Sequence, residues 1–88
     1  MVERKLFIGN LSYKVGEGIL QRLFEKIGAV LSIRIIRDPS TERSRGFAFV
    51  EMEDEESADK AITEYSGKSL EGRILKVEKC FLKERAKG

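Results

Sequence analysis

The amino-acid sequence predicts an α+β fold with the element order βαββαβ, and three observations carry that prediction. Short apolar runs bounded by turn formers recur at residues 5–10, 30–37, 46–52 and 73–80. Between them, two stretches near residues 19–27 and 58–65 place apolar side chains at the spacings of an amphipathic helix. The 88 residues, 41% hydrophobic and 36% charged, suit one small core, so a single stand-alone domain is expected.

The first strand, β1, is Lys5-Leu6-Phe7-Ile8-Gly9-Asn10, too short for a helix and closed by turn formers. Ile19, Leu20, Leu23, Phe24 and Ile27 form the stripe of α1, and Gly28 stands where that helix should stop. Gly16 and Gly18 are poor helix formers, so a weak first turn is expected. Residues 30–37, rich in valine and isoleucine but interrupted by Ser32 and Arg34, make β2. The turn-prone Asp38-Pro39-Ser40-Thr41-Glu42 leads into β3 at Gly46-Phe47-Ala48-Phe49-Val50-Glu51-Met52. The acids at 53–56 fall in or just before the first turn of α2, where they suit the helix dipole, and Ala58, Ala61, Ile62 and Tyr65 give that helix its buried stripe. Ser66-Gly67 and Glu71-Gly72 mark turns, and residues 73–80 alternate Leu75 and Val77 with Lys76 and Glu78 as one last strand. This is the ferredoxin-like βαββαβ sandwich: a four-stranded antiparallel sheet in the order 4-1-3-2, two helices on one face, the other face open. Residues 1–80 are assigned to the domain and 81–88 to a short basic tail, whose Phe81-Leu82 pair is placed to pack back on it.

Strand alternation then sorts the side chains. Ala48, Val50 and Met52 share one face of β3 and Phe47, Phe49 and Glu51 the other; in β1, Leu6 and Ile8 oppose Lys5 and Phe7. With the aliphatic set turned to the helices, Phe7, Phe47 and Phe49 lie on the water side of adjacent strands. Full exposure of three phenylalanines forgoes about 5–9 kcal/mol of burial, comparable to the stability of a small domain. Either the face serves a purpose, or a partner chain or the tail covers it.

Charge and composition narrow the purpose. Net charge is only +2, yet residues 51–59 hold six acids and no base, leaving 17 bases against 9 acids elsewhere and room for a basic face. With no histidine, a single cysteine (Cys80) and no phosphate loop, the sequence offers neither a zinc site nor a nucleophile beside a base, so no enzyme, no metal and no cofactor are expected. No apolar run approaches the ~20 residues of a membrane span, and the polar start argues against a signal peptide; a cytoplasmic protein without membrane contact is expected.

Two segments resemble a known family. Leu6-Phe7-Ile8-Gly9-Asn10-Leu11 matches the ribonucleoprotein hexamer of RNA-recognition-motif proteins. Arg45-Gly46-Phe47-Ala48-Phe49-Val50-Glu51-Met52 is similar to the family octamer and departs only at Met52, which replaces an aromatic on the core face. The resemblance extends over roughly residues 4–80, including Leu70, Gly72, Arg73, Leu75 and Val77 near the end. It implies single-stranded RNA as the partner, with Phe7 and Phe49 as base-stacking platforms, Phe47 against sugars and bases, and Arg45 as a phosphate clamp. Lys5, Asn10, Arg34, Lys76, Glu78 and Lys79 are candidates for hydrogen bonds at the sheet rim. Arg37, Arg43 and Arg45 on one side, with Lys79, Lys83, Arg85 and Lys87 on the other, would bracket the face with positive charge.

In size the chain resembles the small single-domain RNA-binding proteins of bacteria, implying a monomer acting as a post-transcriptional regulator or RNA chaperone. Single-stranded DNA is an alternative ligand, because stacking needs no 2′-hydroxyl. A protein-interaction domain on the same fold is the rival reading, although the loop Ser66-Gly67-Lys68-Ser69-Leu70-Glu71-Gly72 lacks the Arg-x-Phe such members carry.

Overall fold

The computed structural model describes residues 4–37, 39–41 and 44–80, with backbone only for 44 and 45. The elements are β1 (Lys5–Gly9), α1 (Glu17–Glu25), β2 (Val30–Arg37), β3 (Ser44–Met52), α2 (Glu55–Tyr65), β4 (Ser69–Leu70), β5 (Arg73–Ile74) and β6 (Lys76–Lys79). The main sheet runs β2-β3-β1-β6 with antiparallel neighbours, the expected order with β6 as the last strand.

One expectation is corrected. Residues 73–80 do not form a single strand: the chain leaves the sheet at Leu75, and Arg73–Ile74 pairs instead with Ser69–Leu70 in a separate hairpin. Its two turn residues, Glu71 and Gly72, have φ of 51° and 82°, the positive values of a two-residue hairpin turn. Leu75 returns to the core at 3% exposure, donating to Lys68 O and accepting from Gly67 N.

The helices cover the aliphatic face. Leu6, Ile8, Ala48, Val50 and Met52 are fully buried, with Ile35 and Val77 nearly so, against Leu20 and Phe24 of α1 and Ala58 and Ala61 of α2. Met52 therefore packs in the core, and its departure from an aromatic concerns packing. The edges of Phe24 and Tyr65 meet with centroids 5.2 Å apart, and the Tyr65 hydroxyl donates to Leu23 O at 2.6 Å. Desolvation, helped by Glu64, raises the Tyr65 pKa. Helix α1 ends at Glu25 with Lys26 as its C-cap, before the expected stop at Gly28; a Cβ at Gly28 would run into the Ser57 hydroxyl, so the glycine allows close approach of the α1 end to α2.

Helix starts follow their sequences. Asp54 caps α2 by accepting from Ser57 N at 2.8 Å, which lowers its pKa. Gly16 supplies α1 no side-chain cap. Glu17 stands in that first turn instead, and Arg37 of β2 grips its carboxylate with two bonds of 2.8 and 3.0 Å. That guanidinium, with the helix-start backbone, holds Glu17 down at about 2.

Two irregularities shape β2. Register shifts between Val30 and Ser32 and between Ile35 and Arg37 interrupt the pairing with β3. At the first, Val30 pairs with the buried Met52 while Leu31 turns outward at 55% exposure. Among the described residues no helix is long and apolar enough to cross a membrane.

Candidate nucleic-acid interface

The central strands set the site. β1 and β3 pair with Phe7 opposite Phe49, Gly9 opposite Phe47 and Lys5 opposite Glu51. Because Leu6, Ile8, Ala48 and Val50 point to the helices, alternation sends the three phenylalanines to the open face. Phe7 lies 5.8 Å from Phe47 with the rings tilted by 33°, and 5.9 Å from Phe49 nearly edge-on at 61°. All three are partly rather than fully exposed. The burial they forgo is thus smaller than that of three isolated rings, since each shelters its neighbour. Gly9 matters here: a Cβ would fall 2.9 Å from the Phe7 ring, so the missing side chain lets that ring lean towards Phe47.

Cross-strand register builds the surroundings in rows. One row runs Arg34, Phe49, Phe7, Glu78 across all four strands; beside it lie Phe47, Gly9 and Lys76, and on the other side Ser32, Glu51 and Lys5. Lys5, Ser32, Ile33, Arg34 and Phe49 line a shallow depression of about 530 Å³. Glu51 is engaged by Arg4 at 3.0 Å and more loosely by the Ser32 hydroxyl at 3.5 Å. Lys76 and Glu78 form a solvent-exposed pair at 3.5 Å.

Seven of the expected contact residues are thereby gathered on one face: Lys5, Phe7, Arg34, Phe47, Phe49, Lys76 and Glu78. Lys79 is not among them. It shares the parity of Val77, so its ammonium passes to the helix layer, 2.8 Å from Asp59 and 3.3 Å from Glu55. These carboxylates, Asp59 foremost, raise its pKa. Asn10 sits at the end of β1 with φ 59°, its amide donating to Ile74 O at 2.6 Å and accepting from Arg73 at 2.6 Å. It anchors the β4–β5 hairpin to the sheet. Arg37 turns to Glu17 on α1 and leaves the expected cationic bracket. Arg43 and the side chain of Arg45 lie outside the described residues, as do the tail residues from 81 onwards.

Three side chains gain a place that the sequence reading did not assign. Glu51 was legible by parity as a neighbour of Phe49, but its pairing with Arg4 was not. Ser32 reaches the depression beside a β-bulge that composition does not reveal. Arg73, read as part of a strand and of the family ending but given no contact, holds the Asn10 side chain and so the hairpin.

The chain matches the RNA recognition motif family over residues 6–76. It is 44% identical to glycine-rich RNA-binding protein 10 of Brassica napus over 79 residues, which is 90% of this chain and 47% of that protein. The chain spans between 25% and 47% of the length of the curated relatives it matches first. Among solved structures, the crystal structure of RNA-binding protein PG1 superposes with a TM-score of 0.86 at 46% identity, covering 89% of this chain and 94% of that one. The Rna15 RRM with bound RNA (GU) superposes at 0.82 with 28% identity, covering 97% and 95%. A match that takes in both central strands and their aromatic face, joined to this sheet order, makes the chain a member of the RNA recognition motif family.

Proposed function

We propose that this chain binds single-stranded RNA on the open face of its sheet, with bases stacked on Phe7 and Phe49 and Phe47 against a sugar or base edge. One observation carries the reading: three phenylalanine rings cluster at 5.8 and 5.9 Å on a face that no element of the domain covers among the described residues. Aromatic platforms suit single strands because every base has a face to stack, worth about 1–3 kcal/mol each. Lys5, Arg34 and Lys76 on the same face supply charge for the backbone, and Arg43 and Arg45 join them in this proposal. Glu78 stands opposite Phe7 as an acceptor for base amino or imino groups.

The same reading makes the chain a non-catalytic monomer of the cytoplasm, acting on RNA as a regulator or chaperone, with residues 1–80 as the binding domain and 81–88 as a basic tail. Family membership supports the non-catalytic part, and a lone cysteine, with no internal disulfide to gain from an oxidising compartment, supports the location. Fluorescence-anisotropy titration of short RNA and DNA single strands tests the core of it. Phe7→Ala and Phe49→Ala should each weaken RNA binding by about 1–3 kcal/mol while the circular-dichroism spectrum stays native. Unchanged affinity in both variants refutes the stacking platform, and equal affinity for matched DNA shows that the 2′-hydroxyl is not read.

A further inference from the structure

The depression beside Phe49 has an uneven chemistry that bears on which base it holds. Lys5 and Arg34 line it together with Phe49, and Arg34 stands directly opposite that ring in the β2–β3 register. Neither cation is paired with a carboxylate among the described residues, whereas the nearby acid, Glu51, is taken by Arg4 and by the Ser32 hydroxyl. The charged groups left for a ligand are donors, an ammonium and a guanidinium that accept no hydrogen bond, and the neutral Ser32 hydroxyl beside them is the one lining side chain that also accepts.

Resting on the RNA-binding reading above, the geometry points to Phe49 as a platform for keto bases, uracil or guanine, chosen over cytosine and adenine by Lys5 and Arg34. A base laid on the ring presents its edge to these two side chains. The O4 of uracil or the O6 of guanine accepts from them, while the amino group in the same place on cytosine or adenine sets donor against donor. Stacking does not produce this preference, because uracil stacks more weakly than the other bases. The opposite flank of the face does not share it, since Glu78 beside Phe7 offers acceptors.

Uridine and cytidine octamers carry the same backbone charge and differ on this edge at two atoms: O4 becomes an amino group, the exchange that Lys5 and Arg34 would read, and the N3 donor becomes an acceptor. Anisotropy titrations of both against the whole chain should show the uridine octamer binding about fivefold tighter, the low end for a base-edge contact near solvent. In the Lys5→Met, Arg34→Met double variant both affinities fall through lost charge, so the ratio isolates the edge contact; it should approach one. Circular dichroism confirms that the variant is folded. A ratio near one in the unsubstituted protein, or a ratio the double variant preserves, overturns the base preference and leaves the two cations as phosphate contacts. If neither octamer binds, the RNA-binding reading falls first and this inference with it.

Discussion

At the scale of single residues, hydrogen bonds between elements separate positions that look alike in sequence. Tyr65 contributes a ring to the core and a hydroxyl to Leu23 O at 2.6 Å. Tyr65→Phe keeps the ring and removes the shorter of two hydrogen bonds to that carbonyl, leaving the one from Lys26 N at 3.4 Å, and urea denaturation should show a loss of about 0.5–1.5 kcal/mol. Glu17 is a proton-linked contact: its ordinary value of 4.5 falls to about 2 when folding brings Arg37 to it. A depressed carboxylate stabilises above its unfolded pKa and stops doing so as pH falls through the folded one. Wild type should therefore exceed Glu17→Gln by at most ~1 kcal/mol at neutral pH, the pair being solvent-exposed, and the two curves should converge between about pH 5 and 2. A gap independent of pH would mean that Glu17 acts without its charge.

At the scale of elements, backbone irregularities account for most of what alternation and composition left out. A β-bulge in β2 places Val30 inward and Leu31 outward, where strict alternation would have kept one parity along the whole strand. The Glu71-Gly72 turn is short enough to fold residues 69–74 into their own hairpin before the chain rejoins the sheet. Asn10 and Arg73 then tie that hairpin down, so Asn10→Ala should speed amide hydrogen exchange of β4 and β5 while leaving the amides of β1 and β3 protected. Equal protection throughout would deny Asn10 this anchoring role. Close approach of α1 to α2 rests on Gly28, and Gly28→Ala should cost about 1–3 kcal/mol in chemical denaturation because Ser57 occupies the space its methyl needs.

At the scale of the molecule, the two faces of the sheet divide the work. The helix face carries the core and draws Lys79 into the acids of α2, while the open face keeps Lys5, Arg34 and Lys76 around the phenylalanines. Of the six acids at 51–59 only Glu51 lies on the open face, where Arg4 pairs with it, and a modest basic surface remains on a chain of net charge +2. A single strand touching about three phosphates should lose binding with a log–log salt slope near −2, and Arg34→Met should reduce that slope by roughly 0.7. A salt-independent affinity would assign the binding to stacking alone.

The sequence by itself determined the element order as far as Tyr65, most of the core and the aromatic face, because strand alternation and helical spacing are local and both central strands obey them without a break. It also carried the family motifs at Leu6 to Leu11 and Arg45 to Met52. Only the tertiary structure decided which polar residues share that face. Lys79 and Arg37 were legible as cations but not as partners of Asp59 and Glu17, since an ion pair between distant segments depends on which layer each side chain enters. Asn10 became an anchor because the hairpin returns to the end of β1, a contact across 64 positions that no local pattern encodes.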